Sequence, residues 1–244
     1  MNFELMVESL PALLSATVTT IELLVASLFC GMAVALPVAI LRVSGPAPVR
    51  LLLHWYIYFF RGTPLLVQIF LVYYGLAQLE VVRDSFLWPY LRQAWVCAIL
   101  TFSLNTAAYT AYILRGAIEA VPAGEIEAAR ACGMSTALTY RTTILPGAFR
   151  IALPAYGNEV VSMLKSTSLA STITVMELTG AANTIVARTF APYELFITAA
   201  LIYLTITYVL TTALRALEYR LSRHTRPLGE PATPLIEGAD NAGI

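Results

Sequence analysis

The sequence predicts an all-α integral membrane protein with five transmembrane helices, an N-terminus outside the membrane and a C-terminus in the cytoplasm. Three observations support this prediction. Hydrophobic residues make up 58% of the 244 residues and charged residues only 12%, whereas soluble domains typically carry about 25% charged residues. Several apolar stretches reach the roughly 20 residues that a helix needs to cross a bilayer. The basic residues, finally, collect on alternate connections between these stretches.

The predicted spans differ in how clearly the sequence marks them. Four stretches are strongly apolar and contain few charges: 12–41, 55–79, 93–115 and 194–215. A fifth stretch, 151–176, is long enough to span but carries Glu159 and Lys165 inside it. A soluble amphipathic helix is the alternative for this segment. Because so little charge surrounds it, we predict a fifth span.

The orientation follows from the positions of Lys and Arg. Cytoplasmic connections are enriched in these residues. The connections after the first, third and fifth predicted spans contain Arg42, Arg50, Arg115, Arg130, Arg141, Arg150, Arg215, Arg220, Arg223 and Arg226. The opposite side holds Arg83, Arg92 and Arg188. This distribution places the N-terminus outside. The tail, 227–244, is rich in Pro, Gly and acidic residues and is predicted to be disordered.

The connection at 116–150 is the most informative cytoplasmic segment. Residues 125–131 are a compact run of good helix formers. Gly133 is suited to end that helix in a left-handed conformation, and Ser135 is suited to cap a second short helix. Pro146 is expected to mark the end of the second helix or a kink. Spacing alone also allows a merely structural connection.

A motif in this connection resembles the EAA loop of ABC importer permeases. Glu127-Ala128-Ala129 is followed after three residues by Gly133, and after nine more by Thr143-Ile144-Leu145-Pro146. Thr143 stands where the family pattern has an Ile. The resemblance implies contact with a separate ATPase through the following residues: Glu127, Ala128, Ala129, Gly133, Leu145 and Pro146.

Three further segments, 60–68, 102–109 and 151–159, resemble permeases of polar amino acid ABC importers of the histidine and lysine-arginine-ornithine type. The resemblance implies a type I importer fold in the bacterial inner membrane and a polar, basic amino acid as substrate. It also implies a second homologous permease subunit, two ATPase subunits and a periplasmic solute-binding protein as partners. ATP and Mg²⁺ would be bound by the partner ATPase, so no cofactor is expected in this chain.

The fifth predicted span carries a polar stripe. On a helix, Asn158, Glu159, Ser162 and Lys165 share an arc of about 120°. Charged groups at membrane depth are costly and tend to be functional. We therefore predict substrate binding, with Glu159 holding an ammonium or basic side chain, Lys165 a carboxylate, and Asn158 and Ser162 supplying hydrogen bonds. For Lys165, pairing across a subunit interface is an equal alternative.

Other functional classes are disfavoured by the sequence. It contains no phosphate-binding loop for ATP and no nucleophile or zinc motif of the common hydrolases. The net charge of zero argues against nucleic-acid binding, and three scattered cysteines predict no metal site. A self-sufficient secondary amino acid transporter or channel subunit is the alternative function. Such transporters often contain internal repeats, and none is evident here.

Overall fold

The computed structural model describes residues 3–222, and the predicted disordered tail lies outside these described residues. The helices are α1 (Phe3–Ser44), α2 (Ala47–Gly62), α3 (Leu65–Phe70), α4 (Glu80–Arg83), α5 (Trp88–Leu91), α6 (Ala94–Glu119), α7 (Ala123–Ala131), α8 (Thr136–Thr139), α9 (Leu145–Ser166), α10 (Leu178–Thr189) and α11 (Pro192–Ser222). Helix α3 continues as a π turn (Leu71–Gly75) and a 3₁₀ turn (Leu76–Gln78). A π turn (Tyr140–Ile144) precedes α9, and a 3₁₀ segment (Thr167–Ile173) follows it.

Within residues 3–222, three helices are long and apolar enough to cross a membrane, namely α1, α6 and α11. A fourth span results if α2 and the helical segment that follows it, 65–78, are taken as one bent unit. Helix α9 has 22 residues but carries three charged residues, Arg150, Glu159 and Lys165, and it falls outside this set. The all-helical character is therefore confirmed, whereas the count of five spans and the orientation stay predictions.

Two of the predicted spans are interrupted. The stretch 55–79 bends by 105° between α2 and α3. Thr63 is extended there, with φ −115° and ψ 146°, because a residue that precedes a proline, here Pro64, disfavours the helical conformation. The stretch 151–176 is helical only as far as Ile173, and the next residue, Thr174, is left-handed with φ 72°. Each of these two stretches therefore contains a break in its helix.

Helix α6 lies at the centre of the fold and packs against α1, α2 and α9. Small residues line its interface with α1, including Ala35 and Ala39 on α1 and Ala107 and Ala111 on α6. At Gly31, a Cβ atom would lie only 2.3 Å from Cγ2 of a threonine on α6. Such close approach of backbones is how helices gain packing energy in a membrane, where burial from water contributes little.

Candidate functional site

The end of α7 forms a sharp corner. Gly133 is left-handed, with φ +76°, as the sequence predicts. Its N–H donates to the carbonyl of Arg130 (2.9 Å), and the N–H of Met134 donates to the carbonyl of Ala129 (3.1 Å). These two bonds are the Schellman arrangement that satisfies carbonyls at the end of a helix. No atom lies within 4 Å of a Cβ built on Gly133, so the backbone conformation, and not crowding, favours glycine here.

A second short helix follows the corner. The hydroxyl of Ser135 accepts a hydrogen bond from the N–H of Leu138 (3.3 Å), which confirms the predicted cap. The prediction that Pro146 ends this helix is wrong, and the alternative, a kink at Pro146, stays a prediction. The chain instead passes through a π turn into α9, and Pro146 lies in the first turn of α9. Proline is tolerated there because the first-turn N–H groups have no partner within the helix.

The predicted ATPase-contact residues divide into two groups. Glu127, Ala128 and Gly133 are exposed and form the outer surface of the corner, and Pro146 is exposed nearby. The sequence also predicts Ala129 in this contact, but only 6% of its surface is exposed, so its side chain packs inward. Leu145 is half-buried and packs against the core that α1 and α6 share.

The connection that carries the corner is attached to the membrane-spanning helices. Tyr140 and Ser44, at the end of α1, are joined by a hydrogen bond between their hydroxyls. Val121 belongs to the buried core formed by α1, α2, α6 and α9, and Ile126 of α7 packs against that core. A displacement of α7 would therefore be transmitted to α1 and α6 through side-chain contacts.

A buried polar network stabilises the bend between α2 and α3. The Gln68 amide donates to the hydroxyl of Thr63 (2.8 Å) and to the carbonyl of Phe60 (2.9 Å). The Asn105 amide, on α6, donates to the same carbonyl (3.2 Å) and to Oε1 of Gln68 (2.9 Å). Gln68 and Asn105 are 3% and 5% exposed. Backbone groups released by a broken helix need such partners inside a membrane protein.

Arg61 lies beside this bend. Its guanidinium carbon is 3.8 Å from the centre of the Tyr112 ring and 5.3 Å from that of Tyr109. Both tyrosines lie on α6, so two aromatic rings hold this cation against the helix. This position also brings Arg61 within electrostatic range of Glu159 on α9.

The polar stripe of α9 is present, but its members face different neighbours. Asn158, Ser162 and Lys165 are exposed and line a groove of about 720 Å³ between α9 and α11. Glu159 is half-buried on the side that faces α6, where its Oε1 accepts a hydrogen bond from the Thr106 hydroxyl (2.9 Å). The structure thus brings three of the four predicted substrate contacts together and places the fourth at the edge of the stripe.

The sequence analysis missed a second buried polar centre. Glu177 is fully buried and caps α10, accepting hydrogen bonds from the N–H groups of Gly180 (2.8 Å) and Thr179 (3.0 Å). The Tyr203 hydroxyl, on α11, donates to the same carboxylate (2.9 Å). Because glutamate is not among the preferred capping residues, the local sequence gives little signal for this role.

Comparison with known proteins identifies the family. Residues 27–223 match the family described as the binding-protein-dependent transport system inner membrane component. The chain belongs to this family. A nopaline transport system permease protein of Agrobacterium fabrum is 51% identical over 227 residues, which cover 93% of this chain and 94% of the relative. The histidine/lysine/arginine/ornithine permease protein of Escherichia coli K12 is 47% identical over 209 residues, covering 85% and 88%.

Solved structures of transport-system membrane components support the same fold. A crystal structure of an amino acid ABC transporter with histidines contains a chain with a TM-score of 0.80 and 34% identity, covering 90% of this chain and 99% of that one. A chain of an inward-facing methionine ABC transporter has a TM-score of 0.74 at 17% identity, covering 88% and 98%, and supports the fold alone. The chain therefore has the type I ABC permease fold.

Membership of this family decides between the two functional classes that the sequence left open. An inner membrane component of a binding-protein-dependent system works with other subunits, so the chain is an ABC transporter permease and not a self-sufficient secondary transporter. It is also not itself an enzyme. The exposed corner at Gly133 and the groove beside α9 are the features of the fold with the clearest functional interpretation.

Proposed function

We propose that the chain is one of two permease subunits of an ATP-driven importer for a basic amino acid or an opine-type derivative, in the bacterial inner membrane. It crosses the membrane five times, with its N-terminus outside. A second homologous permease, two ATPase subunits and a periplasmic solute-binding protein complete the assembly. Two relatives are named as permease proteins of transport systems, one for nopaline and one for histidine, lysine, arginine and ornithine. These names support this substrate class.

The observation that carries the proposal is the exposed corner of α7. Glu127 and Ala128 are exposed on α7, and Gly133 is exposed just after its end, whereas the inner side of α7 packs against the core through Ile126. The small Ala128 side chain allows close approach of a partner, and Glu127 is available for basic or amide groups of the ATPase. We propose that the ATPase moves α7 and that the bond between Tyr140 and Ser44 transmits this motion to α1.

The polar stripe of α9 is proposed as the substrate contact. An arc of 120° at the outer radius of a helix, about 5 Å, is about 10 Å long, which is comparable with an extended basic amino acid. A substrate that lies in the groove across Ser162 would reach Lys165 with its carboxylate, and its basic group would have to extend around the edge of the stripe to reach Glu159, which lies outside the groove lining. Asn158 would add a directional hydrogen bond.

ATP and Mg²⁺ are assigned to the partner ATPase subunits. Within the described part of the chain, no group of three or more His, Cys, Asp or Glu side chains is placed to hold a metal ion. We propose that the role of this chain in the ATP cycle is mechanical. The chain receives the motion of the ATPase at α7. In response, the path beside α9 opens alternately to the outside and to the cytoplasm.

Uptake by the assembled importer tests the substrate contact. Proteoliposomes would contain this chain with its partner permease and ATPase, and the binding protein would be added with radiolabelled arginine or histidine. Loss of one charge-assisted hydrogen bond by Glu159→Gln is expected to reduce uptake at limiting substrate about tenfold or more, with basal ATP hydrolysis retained. Glu22→Gln, an exposed carboxylate in the first predicted span, is the matched control. Equal uptake by both variants and the wild type would overturn the role of Glu159.

A further inference from the structure

The wall of the groove that α11 contributes carries charged side chains of its own. Thr211, Arg215 and Glu218 line the groove opposite the polar stripe of α9. Their spacing of four and three residues places them on one face of a helix. Arg215 is exposed, and Glu218 is half-buried. A hydroxyl, a guanidinium and a carboxylate therefore follow one another along this wall.

These charged groups lie at a different level of the groove from Lys165. A Cβ atom built on Gly157 would lie 4.0 Å from Cβ of Leu214, so these two residues face each other across the groove. Lys165 comes eight positions after Gly157, which is about 12 Å along α9. Arg215 directly follows Leu214 in the chain. Arg215 and Glu218 thus form a separate group at one end of the groove.

The two charges on this wall have no partner of opposite charge. Neither Arg215 nor Glu218 forms an ion pair within residues 3–222, although they are one turn apart. On a helix, a base that precedes an acid gains less from pairing than the reverse order. Anchoring at the cytoplasmic side of the membrane would explain an arginine here, but it would not explain a carboxylate in the same groove. Both groups are available to a ligand that carries both charges.

We propose that Arg215 and Glu218 form a second substrate subsite, in which Arg215 binds the α-carboxylate of the amino acid and Glu218 its α-ammonium group. Residues one turn apart on a helix have Cβ atoms about 5–6 Å apart, so their side chains can converge on two groups that share one α-carbon. An inorganic anion would pair with Arg215 but would be repelled by Glu218. An amino acid head group matches both charges.

The subsite adds a second step to the transport path. The inference rests on the proposed function, whose orientation places Arg215 at the cytoplasmic end of α11. An amino acid would pass from the polar stripe to Arg215 and Glu218 before its release. Because the head group is common to all α-amino acids, this subsite would recognise the substrate whatever its side chain. Thr211 lies one turn before Arg215 in the same groove, and a bound substrate would cover it.

Protection of an engineered cysteine tests the subsite in the assembled importer. A chain with Thr211→Cys would be placed in nanodiscs with its partner permease and ATPase, without ATP or binding protein. A maleimide labels residue 211, and mass spectrometry of peptides separates this label from those on the native cysteines. Arginine is compared with agmatine, which lacks the carboxylate, and with 5-guanidinopentanoate, which lacks the α-ammonium group. Because a charge-assisted hydrogen bond changes binding about tenfold or more, arginine should protect at a concentration lower by that factor.

Substitutions assign each contact to its residue. In Arg215→Gln, arginine and agmatine are expected to protect residue 211 equally well. In Glu218→Gln, the same is expected of arginine and 5-guanidinopentanoate. Each variant tests one contact, so the result stands if one of them does not assemble. Arg220→Gln removes an exposed arginine of α11 that lies outside the groove lining, and it should leave the preference for arginine unchanged.

Three results would overturn the proposal. They are equal protection by the three compounds, a residue 211 that is not labelled or not protected, and a preference for arginine that Arg215→Gln and Glu218→Gln both retain. Labelling requires no transport, so the outcome is separate from that of uptake. Uptake of arginine without protection of residue 211 would overturn this subsite alone. Protection without uptake would count against the proposed function and not against the subsite.

Discussion

Substitutions of Gly133 separate the backbone geometry of the corner from its exposed surface. Gly133 has φ +76°, and no atom lies within 4 Å of a Cβ built there. Valine and asparagine would therefore both fit within the chain. They differ in their access to the left-handed region, which asparagine visits through local hydrogen bonds and a β-branched residue avoids.

The expected loss of stability at the corner follows from the left-handed conformation of Gly133. An L-residue other than glycine in the left-handed region costs about 1–2 kcal/mol. A loss of that size lowers the ratio of formed to unformed corner by a factor of roughly 5–30. We expect Gly133→Val to incur this full cost and Gly133→Asn to incur a smaller one. If the corner couples the ATPase to the permease, transport should decline in the same order.

The assay measures two quantities on the reconstituted importer. One is the uptake of substrate, and the other is ATP hydrolysis stimulated by the binding protein. Gly133→Val is expected to lower the ratio of uptake to hydrolysis, or to release the ATPase during purification, while Gly133→Asn retains most of both. Equal damage by the two residues would show that bulk at the partner surface decides, and normal transport by Gly133→Val would refute the coupling role.

Three further substitutions test the packing around the site. Gln68→Leu leaves buried polar groups at the bend unpaired and is expected to destabilise the protein by about 1–3 kcal/mol in thermal unfolding. The control Gln78→Leu, at an exposed position, should have little effect. Equal stability of Gln68→Leu and the wild type would argue against the network. Gly31→Ala would place a methyl group against Thr106, so a loss of about 1–3 kcal/mol and weaker uptake are expected. The control Gly116→Ala, with open space around its Cβ, should be tolerated. Glu177→Ala removes the cap of α10 and is expected to destabilise this helix by about 1 kcal/mol. The loss should appear as faster amide hydrogen exchange in α10, and unchanged exchange would contradict the capping role.

The local chemistry of the cytoplasmic connection made it predictable. Good helix formers, a glycine with access to the left-handed region and a serine at a capping position each specify their own conformation. The observed α7, the positive φ of Gly133 and the cap at Ser135 follow from these rules. These local rules do not show that the chain stays helical after α8, where Pro146 lies in the first turn of α9 instead of ending α8.

The interruptions of the spans depend on long-range contacts that a hydropathy pattern does not contain. The bend at Pro64 is stable because Gln68 and Asn105, 37 positions apart in sequence, satisfy its backbone. The position of Glu159 depends likewise on Thr106, which lies 53 positions away. Helical periodicity gave the angle of each residue around α9. The neighbouring helices decided which of these residues face the groove and which face α6.

Reconstitution of defined subunits tests the central claim most directly. Uptake of labelled basic amino acid would be compared between liposomes that contain this chain alone, this chain with its partner permease and ATPase, and the same assembly with the binding protein and ATP. The account predicts accumulation only in the complete assembly with hydrolysable ATP. Accumulation by the chain alone, driven by an ion gradient and independent of ATP, would contradict it.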